Sequence, residues 1–123
     1  MAFAAYPLPG GDKETTRRYL HTQQEELAMA VYIILSQAAA GTFASPQEFK
    51  QMADEVSERI KRECPDVIWG QSFATMGQFD VVDIIESDDP VQVEKAAMII
   101  RAYGKANTQT LPATPWREFL AAL

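Results

Sequence analysis

The feature that most narrows what this chain can fold into is Gly77-Gln78-Phe79-Asp80, set between two strand-like runs, Trp69 to Met76 and Phe79 to Glu86. A Gly-X pair between such runs signals a two-residue type II′ hairpin, because glycine takes the positive φ of the first central position without steric cost. That turn sets Met76 opposite Phe79, and the register of the whole hairpin follows. One face then carries Gly70, Ser72, Ala74 and Met76 with Phe79, Val81, Asp83 and Ile85. The other carries Trp69, Gln71, Phe73 and Thr75 with Asp80, Val82, Ile84 and Glu86. Both faces are largely apolar, so both need cover.

The flanking segments supply partners for this hairpin. Met29 to Leu35 reads as a strand buried on both faces, since it is short, β-branched and free of polar alternation. Ser45-Pro46-Gln47-Glu48 is a helix start: the serine oxygen accepts first-turn amides, proline is pre-set for the first position, and glutamate reaches back. Phe49, Met52, Ala53, Val56 and Ile60 then recur at helical spacing until Pro65. Asp88-Asp89-Pro90 starts a second helix by the same logic, with Val93, Ala96, Ala97 and Ile100 as its stripe and Gly104 as its stop. Lys105 to Leu111 reads as a fourth strand, at an edge, and Thr114-Pro115 opens a short terminal helix. The order is that of an α+β, ferredoxin-like βαββαβ fold, with a four-stranded antiparallel sheet whose first and third strands are central. Two helices cover one face of such a sheet. The expected cover for the other is the N-terminal segment or a second copy of the chain, which points to a homodimer with sheets stacked face to face.

Composition bounds the function. At 123 residues, 47% apolar and 23% charged, the chain fits one folded domain, expected over residues 28–123 behind an arm of residues 1–27. A net charge of −6 gives no general source of phosphate neutralisation, so nucleic acid is not an expected partner. The longest apolar stretch, Ala28 to Leu35, is too short to span a bilayer, and no basic region followed by an apolar signal core opens the sequence. A cytoplasmic protein without a membrane partner is expected. Cys64 is the single cysteine and His21 the single histidine, which permits neither an internal disulfide nor a thiolate- or histidine-based metal cluster. No metal and no cofactor are expected.

The segment Thr75 to Glu86, with its glycine, aromatic residue and aspartate followed by an apolar strand and a glutamate, resembles the signature of the GYD-domain family. These are small bacterial proteins related in fold to dimeric α+β barrels. The resemblance runs from about Tyr32 to about Phe119, and Gly104 with Thr108, Thr110 and Leu111 looks like the family's last strand. Phe79 stands where the family commonly has tyrosine, Asp83 replaces a usually small apolar residue, and Ala39 stands where a threonine is common. The family implies the fold and a homo-oligomer but no general activity, and related barrels include cofactor-free oxygenases, isomerases and ligand binders.

Two carboxylates are the candidate catalytic residues. Asp80 follows the turn, where it can orient a ligand or act as a general base, or simply accept turn amides. Asp83 lies mid-strand with Ser72 as its cross-strand neighbour; it can line a pocket with a raised pKa, or pair with Arg101 or a partner chain. The candidate ligand-binding set is Tyr32, Gln71, Ser72, Asp80 and Asp83, with Tyr32 or Gln71 positioning the ligand. Trp69, Phe73 and Met76 are either apolar ligand contacts or core. Cys64 ends the first helix beside Glu63, where both the helix terminus and the carboxylate disfavour a thiolate. Three readings result: a homo-oligomeric protein that binds a small, partly apolar molecule or serves as an accessory subunit; a cofactor-independent oxygenase or isomerase with an aspartate base in the sheet–helix cleft; and a structural oligomerisation module.

Overall fold

A computed structural model describes residues 30–123. The expected arm, with His21, the expected domain start at Ala28 and the first residue of the expected opening strand, Met29, lie outside the described residues. In chain order the elements are β1 (Val31–Ala38), α1 (Pro46–Glu63), β2 (Val67–Ala74), β3 (Val81–Ser87), α2 (Pro90–Gly104), β4 (Ala106–Ala113) and α3 (Trp116–Ala121). The four strands form one antiparallel sheet in the order β2-β3-β1-β4. This is the expected α+β, ferredoxin-like topology, with β1 and β3 in the middle.

Both long helices start where their sequence chemistry says. Ser45 Oγ accepts from the Glu48 N–H at 3.2 Å, while Glu48 Oε2 accepts from the Ala44 N–H at 2.7 Å, one residue before the cap. Asp89 Oδ1 accepts from the Val91 N–H at 3.0 Å and opens α2. At the other end of α2 the stop falls one residue later than expected: Gly104 stays helical and Lys105 takes the left-handed conformation, φ 52°.

The core lies between the helices and one sheet face. Ile34 and Ile85 from the central strands are fully buried against Val93, Ala96, Ala97 and Ile100 of α2, with Val56 and Ile60 of α1 beside them. In β1 only Ile34 and Ser36 are buried, while the alternating Ile33 and Leu35 are half-exposed. The expected strand is present, but within this chain it is buried on one face, because the long helices pack on the same side. The opposite face presents Ile68, Phe73 and Leu111, all exposed, next to Val82 and Ile84.

The hairpin register is as expected from Ala74 to Gln71: Ala74 pairs with Val81, Ser72 with Asp83 and Gln71 with Ile84. Its turn is not. The ladder stops at Ala74 and Val81, and a longer loop is closed by the Thr75 N–H to the Asp80 carbonyl at 3.0 Å and Thr75 Oγ1 to the Phe79 carbonyl at 2.5 Å. Gly77 has φ +155°, far from the about +60° of a type II′ turn. A second departure lies upstream. Trp69 pairs with Ile85 and Gln71 with the adjacent Ile84, so Gly70 is an extra residue, a β-bulge.

Candidate functional site

The bulge decides which side chains meet. In an unbroken strand Trp69 and Ser72, three residues apart, point to opposite faces; one extra residue puts them on the same face. Trp69 therefore sits on the helix side with Asp83, contrary to the expected alternation. Its Nε1 donates to Ser72 Oγ at 2.9 Å and to Asp83 Oδ1 at 3.2 Å, and Ser72 Oγ donates to Asp83 Oδ1 at 2.5 Å. Gly70 makes this possible because its backbone runs close to β3. A Cβ at residue 70 would lie 3.0 Å from the Ile84 carbonyl oxygen.

Asp83 is buried, with 6% of its surface exposed. Burial pushes its carboxyl above the usual carboxylate range, and the bonds from Ser72 and Trp69 pull it back only in part. The alternative of a pair with Arg101 is not what the structure shows. Asp83 meets neutral donors, and Arg101 is exposed in the last turn of α2.

Beside Asp83, on β1, lies a residue that sequence reasoning passed over. Ser36 is 6% exposed, and its Oγ is sealed from solvent without a hydrogen-bond partner among the described residues. Buried hydroxyls are ordinarily satisfied, so an orphan of this kind calls for a reason. Its position was within reach of the alternation from Ile34, but its lack of a partner depends on what stands above it.

Above it stands a cavity of about 380 Å³, within the about 300–1,000 Å³ typical of small-molecule sites. It opens because α1 leans on α2 and not on the strands. The Arg59 guanidinium stacks 3.8 Å above the Tyr103 ring, and Lys95 Nζ donates to the Glu63 carbonyl at 3.0 Å, tying α1 to α2. Met52, Val56 and Ile60 of α1 form the roof; Ser36, Ser72, Trp69 and Asp83 form the polar end of the floor.

The remaining candidates are distributed unevenly. Asp80 lines the cavity, and its Oδ2 accepts from the Ala38 N–H at 2.8 Å while its own N–H donates to the Ser36 carbonyl at 2.8 Å. Its carboxylate thus prolongs the β1–β3 ladder beyond the last pair, Ser36 with Val81. Tyr32 packs at the edge of the core and Gln71 is exposed on the opposite sheet face, so neither lines the cavity. Cys64 is buried in the core at the end of α1, and burial raises its thiol pKa. No helix of the described residues is long and apolar enough to cross a membrane.

A four-stranded antiparallel sheet with helices packed on it defines the ferredoxin-like class of α+β folds. Residues 32–123 match the GYD domain model, and the chain belongs to that family. The chain is 27% identical over 99 residues to the glutamine synthetase and cystathionine beta-lyase binding protein of Thermus thermophilus, an alignment covering 77% of this chain and 99% of that protein. No solved structure matches the chain.

Proposed function

We propose that this protein is a homo-oligomeric accessory protein of the cytoplasm that binds a small, partly apolar molecule in the cleft between α1 and the sheet. The observation that carries this reading is the cavity itself, with an apolar roof and a floor that ends on a buried carboxyl and an unpartnered hydroxyl. Such a mixture, mostly apolar with a few convergent polar groups, is what orients a small ligand. The name of the Thermus thermophilus relative, a binding protein for two enzymes, supports an accessory role, and the exposed apolar sheet face supports association through that surface.

A thermal-shift screen of apolar metabolites tests the ligand half of the proposal. A selective ligand at a hundredfold excess over its Kd should stabilise the native chain by about 2.7 kcal/mol. Val81→Phe, which enlarges a cavity-lining side chain, should lose that response while remaining folded. A flat response of the unmodified chain across the library would remove the proposal.

A second reading, a cofactor-independent enzyme with Asp83 as general base, draws on the raised proton affinity of that carboxyl. Under it, a compound found by the screen should be converted on incubation, as read by mass spectrometry, and Asp83→Asn should abolish conversion while keeping the thermal shift. Recovery of every bound compound unchanged would leave the binding protein alone.

A further inference from the structure

The floor of the cleft is chemically one-sided. Ser72 Oγ and Trp69 Nε1 both donate to the same oxygen of Asp83, Oδ1, and Oδ2 takes no hydrogen bond from the described residues. An indole N–H can only donate, so Oδ1 is held as an acceptor. Across the β1–β3 pair Ser36 faces Val81 and Asp83 faces Ile34, which makes Ser36 and Asp83 diagonal neighbours on one face. Among the described residues the buried Ser36 Oγ has no partner, which leaves a second unsatisfied oxygen on the same face.

What this floor lacks, among the described residues, is positive charge. Among the described residues no basic side chain forms an ion pair with Asp83. Among the described residues the other charged groups lining the same cavity are Asp80 from the β2–β3 loop and Lys61 from α1, and the Lys61 ammonium lies 3.8 Å from Glu58 on the exposed side of its helix. The wall segments contributed by β1, β2, α2 and β4 bring no charge. Two carboxyls against one ammonium leave the cleft acidic, in a chain whose net charge is already −6.

We infer that the cleft takes a small apolar amine, its ammonium seated on Asp83 Oδ2, the Ser36 side chain rotating to offer its sealed Oγ as a second acceptor, and its hydrocarbon body lying under Met52, Val56 and Ile60. This rests on the reading of the cleft as a ligand site and specifies the ligand's chemistry. An ammonium has donors only and meets two acceptors; it also supplies the counter-charge that a buried carboxylate otherwise lacks. An alcohol of the same size brings no counter-charge, and a carboxylate sets acidic groups together in a poorly solvated site. The raised pKa of Asp83 is consistent with this: the carboxyl is disfavoured as an anion until a cation arrives.

The test uses the full chain carrying Trp116→Phe, which leaves Trp69 as the sole tryptophan and its indole as a reporter bonded to Asp83. Fluorescence titrations with n-hexylamine, 1-hexanol and hexanoate at neutral pH compare the three head groups on one body. Hexylamine should bind at least about tenfold tighter than hexanol, and hexanoate more weakly than either. Asp83→Asn should weaken hexylamine by about tenfold and leave hexanol unchanged. Ser36→Ala should weaken hexylamine by about fivefold, the loss of one hydrogen bond, with a melting temperature at or above that of the parent because it removes an unsatisfied buried group. It therefore reports on a folded protein even where Asp83→Asn does not. Equal affinity for hexylamine and hexanol, tightest binding of hexanoate, or no saturable response to hexylamine overturns the inference. Saturable hexanol or hexanoate binding in that event would leave the cleft-binding reading standing, and silence to all three together with a blank thermal-shift screen would remove both.

Discussion

In the native chain burial holds the Asp83 carboxyl at a raised pKa, whereas in the unfolded chain it returns to the ordinary carboxylate value. Between those two values the native state binds more protons, so stability falls as pH rises. The contribution is fully present below the unfolded pKa and is lost as pH climbs through the folded one, the reverse of a salt-bridged aspartate. Asp83→Asn carries no such term. In urea unfolding at ~pH 4 and ~pH 7, the stability of Asp83→Asn relative to the parent should rise toward neutral pH; parallel profiles would show that the carboxyl is not buried as described. Cys64 makes a related case, with its thiol raised by burial in the core. Its alkylation by iodoacetamide should be slow in the native protein and rapid in urea, and fast native labelling would contradict its burial. At this scale the sequence was informative about Asp83, because a carboxylate in the middle of an apolar strand is conspicuous. It was silent about Ser36, since nothing in a serine after Ile34 and Leu35 tells whether its hydroxyl has a partner; that depends on a helix standing away from the sheet.

Helix limits were readable because they rest on local chemistry: Ser45 with Pro46, Asp89 with Pro90, and Pro65 beyond α1 act within a few residues of themselves. Strand pairing near the turn was readable for a similar reason, and the pairing of Ser72 with Asp83 followed from it. The position of Trp69 was not, because alternation holds only while no residue is inserted, and one glycine reverses everything upstream of it. Gly70 in a strand does not by itself distinguish a bulge from a weak spot. The close approach to the Ile84 carbonyl makes the bulge testable. Gly70→Ala should cost about 1–3 kcal/mol, as an added methyl group forces the backbone to shift. In the Trp116→Phe background the emission of Trp69 should move as its bonds to Ser72 and Asp83 loosen. Unchanged stability and emission would mean that the bulge tolerates a side chain and does not set the indole.

The whole molecule has one sheet face closed by two helices and another that is apolar and exposed at Ile68, Phe73 and Leu111. The homodimer proposed for this surface predicts that light scattering on the full chain reports twice the monomer mass at micromolar concentration, and that Phe73→Glu shifts it to one. A strict monomer before substitution would assign the face to other company. Most of this level was readable from element order alone, since two helices cannot cover both sides of a four-stranded sheet. The sheet's outermost strands add a limit of their own. β2 carries the Gly70 bulge and β4 carries Pro112, which has no N–H to offer. Neither rim presents a straight, unbroken row of donors and acceptors, so copies crowded together have no ready template for adding strand to strand. The kink that turns an indole toward a carboxyl also helps keep a concentrated solution from growing into ribbons.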